Sequence, residues 1–130
     1  MASKLGPQGE LMIRTLAMPA NTNPNGDIFG GWLVSQMDLA AASLAYKRAR
    51  TRVVTVAIDS MNFLAPVKVG DFVCCYSQLE KVGRTSLVIK VEAWVVGAWE
   101  QHRHQVTEGL FTFVAVDKQG RPVAVAKQKD

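Results

Sequence analysis

The chain lacks the features that would place it in several common classes. It has only two cysteines in 130 residues, the adjacent Cys74 and Cys75. Neighbouring side chains on a strand point to opposite faces, so these two cannot pair with each other. Neither a disulfide framework nor C-x-x-C metal spacing is available. Buried thiols are the expectation. Long hydrophobic runs are missing as well: the longest stretch nearly free of charge, Gly30 to Tyr46, contains Asp38, Gln36 and two serines. That is too polar for a membrane span, and no membrane insertion is expected. Met1 to Glu10 carries no apolar segment of the kind found in secretory signals, so the expected address is the cytoplasm. Charge of one sign is scarce, with a formal net charge of +4 spread along the chain. The one local cluster, Lys47, Arg48, Arg50 and Arg52, falls where cations complement the negative end of a helix dipole. Exposed aromatics are not interleaved with it, which argues against a nucleic-acid surface. Attraction for a small phosphate-bearing molecule stays open.

What is present fits one globular domain: 48% hydrophobic and 20% charged residues over a length that can bury a sizeable core. Residues 1–10 read as a flexible lead, 11–121 as the domain and 122–130 as a flexible basic tail expected to fray. Leu11 to Met18 reads as a strand closed by Pro19. A breaker-rich loop follows, with Asn21, Asn23, Pro24, Asn25 and Gly26. Gly31 to Arg48 is the only long helix, dominated by good helix formers. Four β-rich segments come next: Val53–Leu64, Phe72–Val82, Thr85–Val96 and Gln105–Asp117. Turn residues between them predict hairpins, and therefore an antiparallel sheet. The helix is apolar or small nearly all round, which predicts burial on most sides. A curved sheet wrapped around it, with edge strands that favour pairing with a second copy, is the simplest α+β solution.

One residue breaks the pattern. Asp38 is the only charge between Trp32 and Tyr46, set in a stripe with Val34, Ala41 and Ala45. Burying an unpaired carboxylate is costly, and aspartate is a mediocre helix-interior residue. Either a structural partner compensates it, or it is a base or nucleophile in a dry cleft. Two features favour the second reading. Gly30 and Gly31 open the helix, where free N–H groups and the dipole suit a developing oxyanion and the absence of Cβ allows close approach. A tight loop-to-helix turn would explain the same glycines. Gly83-Arg84-Thr85-Ser86 forms a turn in which Arg84 can hold a phosphate and the hydroxyls of Thr85 and Ser86 can add donors. An ordinary hairpin turn explains it equally well. His102 and His104 flank Arg103 in a predicted loop with no third ligand evident, so no metal site is expected.

The run from Asn23 through Gly30-Gly31-Trp32 to Ser35-Gln36-Met37-Asp38 resembles the hotdog-fold acyl-CoA thioesterases, closest to the bacterial YciA-type group. Arg14–Pro19, Ser60-Met61-Asn62-Phe63, Val69-Gly70-Asp71, Lys81–Ser86 and Phe111–Asp117 are similar to that group too. The resemblance implies a sheet wrapped around one central helix, paired into a double hotdog. It further implies a trimer of dimers, a homohexamer with a place in lipid metabolism. It implies Asp38 as the catalytic carboxylate and Asn23 as a second catalytic residue supplied across the dimer interface. Gly30 and Gly31 amides would polarise the thioester carbonyl, and Gly83, Arg84, Thr85 and Ser86 would meet CoA. CoA would be part of the substrate, with no separate cofactor. The stretch Gly97 to His104, including Trp99, departs from the group. The competing readings are a hotdog dehydratase, which would usually use a histidine absent from this helix, and a module that binds acyl-CoA without turnover.

Overall fold

A computed structural model describes residues 6–97 and 102–126 of the protein. The chain folds as β1 (Glu10–Leu16), a short 3₁₀ turn (Pro19–Asn21), α1 (Gly30–Ala49), β2 (Arg52–Phe63), β3 (Phe72–Val82), β4 (Ser86–Val96) and β5 (Arg103–Val116). The five strands form one antiparallel sheet in the order β1-β3-β4-β5-β2. This is the hotdog arrangement: the single long helix packs against all five strands.

Alternation along the strands decides which face meets the helix. Leu87, Ile89, Val91, Ala93 and Val95 of β4 and Phe111, Phe113 and Ala115 of β5 point inward and are fully or almost fully buried. They meet Leu33, Met37, Ala40, Ala41, Ala45 and Ala49 of α1. The alanines keep the helix close to the sheet, while the bulk is supplied by strand side chains. Cys74 and Cys75 are both buried and form no disulfide, and they lie on opposite faces of β3, where Arg14 Nη1 donates to Cys74 Sγ at 3.9 Å. Burial, with a smaller contribution from Cys74, pushes the Cys75 thiol up to about 12, so it is protonated and inert near neutral pH.

Burial of α1 differs from the expectation. Only its sheet-facing side is enclosed, while Leu39 and Tyr46 are 55% and 59% exposed. A single five-stranded sheet reaches one side of a helix, and nothing else among the described residues covers Leu39 and Tyr46 on the other. β2 is an edge strand and carries exposed Val54, Val56 and Ile58. Its pairing with β5 slips at Val56 and again between Asp59 and Asn62, where Ser60 adopts a left-handed φ of 53°.

The chain ends are tied down further than composition suggests. The backbone N–H of Gln8 donates to Glu92. Beyond β5, Val123 N donates to Ala115 O, Val125 N donates to Arg84 O, and Arg48 donates to Ala126 O at 2.7 Å. Residues 122–126 are thus held across the end of the core, where the sequence suggested a free tail. Trp99 lies outside the described residues. His102 precedes β5 and His104 lies at its exposed start. No helix among the described residues is long and apolar enough to cross a membrane.

Candidate active site

Asp38 occupies the middle of α1, at the margin between its covered and open faces, and is half-buried. The structure gives it one partner: Thr55 Oγ1 of β2 donates to Asp38 Oδ1 at 2.9 Å. Among the described residues no cation pairs with this carboxylate and its second oxygen has no hydrogen bond. The acid is therefore oriented at one oxygen and open at the other. It lies beside the core instead of inside it, so the apolar stripe read from the sequence overstates its burial. Thr55 has no counterpart in the sequence reading. Local register explains its placement: Thr55 pairs with Phe113, whose side chain faces the helix, and the bulge at Val56 follows immediately.

Asn23 sits in the loop before α1, and its amide is locked by its own neighbours. Its Oδ1 accepts the backbone N–H groups of Asn25 at 2.9 Å and Asp27 at 3.1 Å. Asn23 N also donates to Asp27 O at 2.7 Å. Two backbone donors fix which end of the amide is oxygen. Nδ2 is left as a pure donor with no partner among the described residues.

The helix begins without a side-chain cap: Phe29 is the N-cap and makes no capping hydrogen bond. The first-turn N–H groups therefore remain available. Gly30 and Gly31 are not demanded by backbone conformation, since neither has a positive φ. A Cβ at Gly31 would meet nothing within 4 Å, and one at Gly30 would make ordinary contact with the Phe63 ring at 3.6 Å. Two glycines at this position cost helix stability, and a tight turn does not require them. Their use is the bare approach to the amides.

A cavity of about 430 Å³ opens beside this helix start. Asn23, Asp27 and Gly30 supply its polar wall, and Ile28, Leu33 and the segment from Phe63 to Val67 supply the rest. Asp38 and Gly31 do not line it. The turn at residues 83–86 is farther away still. Gly83 N donates to Ser86 O at 2.8 Å, and a Cβ on Gly83 would lie 2.7 Å from Ser86 Oγ, so a side chain there would require the serine hydroxyl to rotate away. Thr85 O accepts from Ala115 N, so the turn lies where β2 starts and α1 ends. The Arg84 side chain is exposed and unpartnered among the described residues. Asn23 and the cavity lie where α1 starts and β2 ends, a helix length of about 30 Å away. One protomer therefore does not gather Asp38, Asn23 and residues 83–86 into one site.

Comparison with known proteins places this geometry. The sequence model of the thioesterase superfamily matches residues 25–97. The acyl-CoA thioester hydrolase YciA of Salmonella typhimurium is 56% identical over 119 residues, covering 89% of this chain and 90% of that protein. A hexameric broad-specificity acyl-coenzyme A thioesterase, crystallised as an aspartate-to-alanine mutant, superposes with a TM-score of 0.90 at 54% identity, covering 94% of this chain and 90% of that one. The hexameric thioesterase of Yersinia pestis superposes with a TM-score of 0.89 at 54% identity, covering 93% and 98%.

Proposed function

This chain belongs to the thioesterase superfamily and is a hotdog-fold acyl-CoA thioester hydrolase; from that premise we propose that Asp38 is its catalytic carboxylate and that Asn23 of a second copy completes the site. The observation that carries the proposal is the half-held carboxylate. Thr55 fixes one oxygen of Asp38 and leaves the other open. That open oxygen is the one able to take a proton.

In the proposed reaction, the open oxygen of Asp38 takes a proton from water. The hydroxide attacks the thioester carbonyl, and the tetrahedral oxyanion is held by amides at Gly30 and Gly31 and by Asn23 Nδ2. Collapse breaks the carbon–sulfur bond. The proton on Asp38 passes to the leaving CoA sulfur, and a free carboxylic acid remains. CoA enters as part of the substrate, so the scheme needs no other cofactor. Direct attack by Asp38 through a mixed anhydride is the other route to the same products. Single-turnover hydrolysis in heavy-oxygen water separates the two. Label appearing first in the Asp38 carboxylate would overturn the general-base scheme, and label confined to the product acid supports it.

The second copy follows from where the residues lie. Pairing through β2 edges about a two-fold axis covers Val54, Val56 and Ile58. It also reverses one chain against the other. The Asn23 end of one copy then comes beside the end of its partner that carries residues 83–86, and Asp38, near mid-helix, comes close to the axis. Residues 83–86 are proposed to contact CoA, with the free Arg84 guanidinium meeting phosphate. Relatives of this chain assemble as hexamers, and a trimer of such dimers is the proposed assembly.

Thr55 provides a direct check on the half-held carboxylate. Thr55→Val preserves shape and β-propensity while removing the hydroxyl. The expected outcome is a kcat lower by about ten-fold, the value of one hydrogen bond to a charged group, with KM unchanged. Thr55→Ser should recover most of it. Equal losses in both variants would make Thr55 a packing residue only.

A further inference from the structure

The cavity at the helix start has a chemistry that says which part of a thioester it takes. Its volume of about 430 Å³ lies within the usual range for small-molecule sites. No lysine or arginine lines it, and the one formal charge on its wall, Asp27, is negative and already paired with Lys68 at 2.7 Å. Phosphates are unwelcome in such a place. Apart from Asn23, Asp27 and Gly30, the wall is apolar, from residues such as Ile28, Leu33, Leu64, Ala65 and Val67. With Asp27 held by Lys68, Asn23 and Gly30 are the polar contributors left to meet a carbonyl oxygen. A ligand that presents a carbonyl at Asn23 and Gly30 can send only a hydrocarbon chain inward.

Phe63 controls that path. Its ring lies against the first residue of α1, with Cε1 3.6 Å from where a Gly30 Cβ would stand. It is half-exposed and lines the cavity. It also follows the register shift between Asp59 and Asn62, where Ser60 has a left-handed φ of 53°. Ala65 is part-buried and Val67 is 3% exposed, so the Phe63 ring stands at the outer part of the same wall. We propose that the cavity is the acyl-chain site and that Phe63, placed against Gly30, sets the chain length the enzyme accepts.

This rests on the thioester-hydrolase reading, and the test keeps the two apart. Thiol release is measured for the whole protein with a series of straight-chain acyl-CoAs from two to sixteen carbons. Wild-type protein that released no thiol from any of them would refute the hydrolase reading itself. Phe63→Ala, which opens the path, is expected to raise kcat/KM for long chains relative to short ones by roughly ten-fold or more, the scale on which apolar pockets discriminate. Ala65→Leu, which narrows the cavity farther in, is expected to shift preference toward short chains by a similar factor. It also serves as the second variant if Phe63→Ala folds poorly. If wild type is active and each folded variant scales all chain lengths by one common factor, the cavity does not hold the acyl chain and the proposal is overturned.

Discussion

Asp38→Asn is expected to reduce kcat for acyl-CoA hydrolysis by on the order of 10²- to 10⁴-fold while leaving CoA affinity and thermal stability close to those of the parent protein. Asparagine has the same shape, and its Oδ1 can still accept from Thr55 Oγ1, which now holds the aspartate at 2.9 Å. What disappears is the capacity of the second position to take a proton from water. The half-buried position of Asp38 and its freedom from any described ion pair mean that neutralising it leaves no partner charge uncompensated. Stability and catalysis should therefore separate cleanly. Steady-state thiol release, calorimetric CoA binding and a melting curve on one preparation measure all three. Full activity would remove Asp38 from the mechanism, and joint loss of stability and binding would make it a structural acid.

Asn23→Asp is the second large effect, and the local geometry makes it more telling than an alanine change. The Asn23 side-chain oxygen ties down the loop by accepting from Asn25 N and Asp27 N. Aspartate keeps both bonds, and its charge strengthens them. It replaces the Nδ2 donor with an anionic oxygen that repels a developing oxyanion. Loss of one such donor typically costs about 10²- to 10³-fold in kcat, and the added negative charge deepens the loss. The melting temperature should hold or rise. Asn23→Ala, by contrast, strands two loop N–H groups and should cost about 1–2 kcal/mol of stability as well as activity. If Asn23→Asp retained activity while Asn23→Ala lost it, Asn23 would be a loop-former and nothing more.

Much of this architecture is written locally. The β3 limits, Phe72–Val82, coincide with the sequence reading, and α1 runs only one residue past its predicted bounds at each end, because composition, breakers and turn residues all mark the same boundaries. Asp38 and the glycine pair stand out because each carries a propensity cost that nothing nearby offsets. Thr55 was illegible for a different reason. Its partner lies on another element, and the bulge at Val56 breaks the alternation from which a strand's faces are read. The strand order was misread in one place: the turn residues between β2 and β3 suggested a hairpin, yet these strands are not neighbours in the sheet. β2 leaves α1 to pair with β5 at the far edge, a non-local choice that no short-range pattern encodes. The helix looked buried all round because apolar residues left exposed on the protomer, such as Leu39 and Tyr46, cannot be told apart, in sequence, from those in the core. The C-terminal segment read as a loose tail because Val123 and Val125 are few and surrounded by charge. Their anchoring depends on Ala115 O and Arg84 O, which the folded sheet happens to present at its end.

In the proposed site, a carboxylate from one copy and an amide from another act on one thioester. Co-expressing the Asp38→Asn and Asn23→Asp chains tests this directly. Each variant alone should be nearly inactive. In a mixed dimer one site carries both changes and the other carries neither, so random pairing should restore about a quarter of parental activity. Recovery near that level is the predicted result. If the mixture is no more active than the separate variants, although mixed dimers are shown to form, then each site belongs to a single chain and the shared-site mechanism is contradicted.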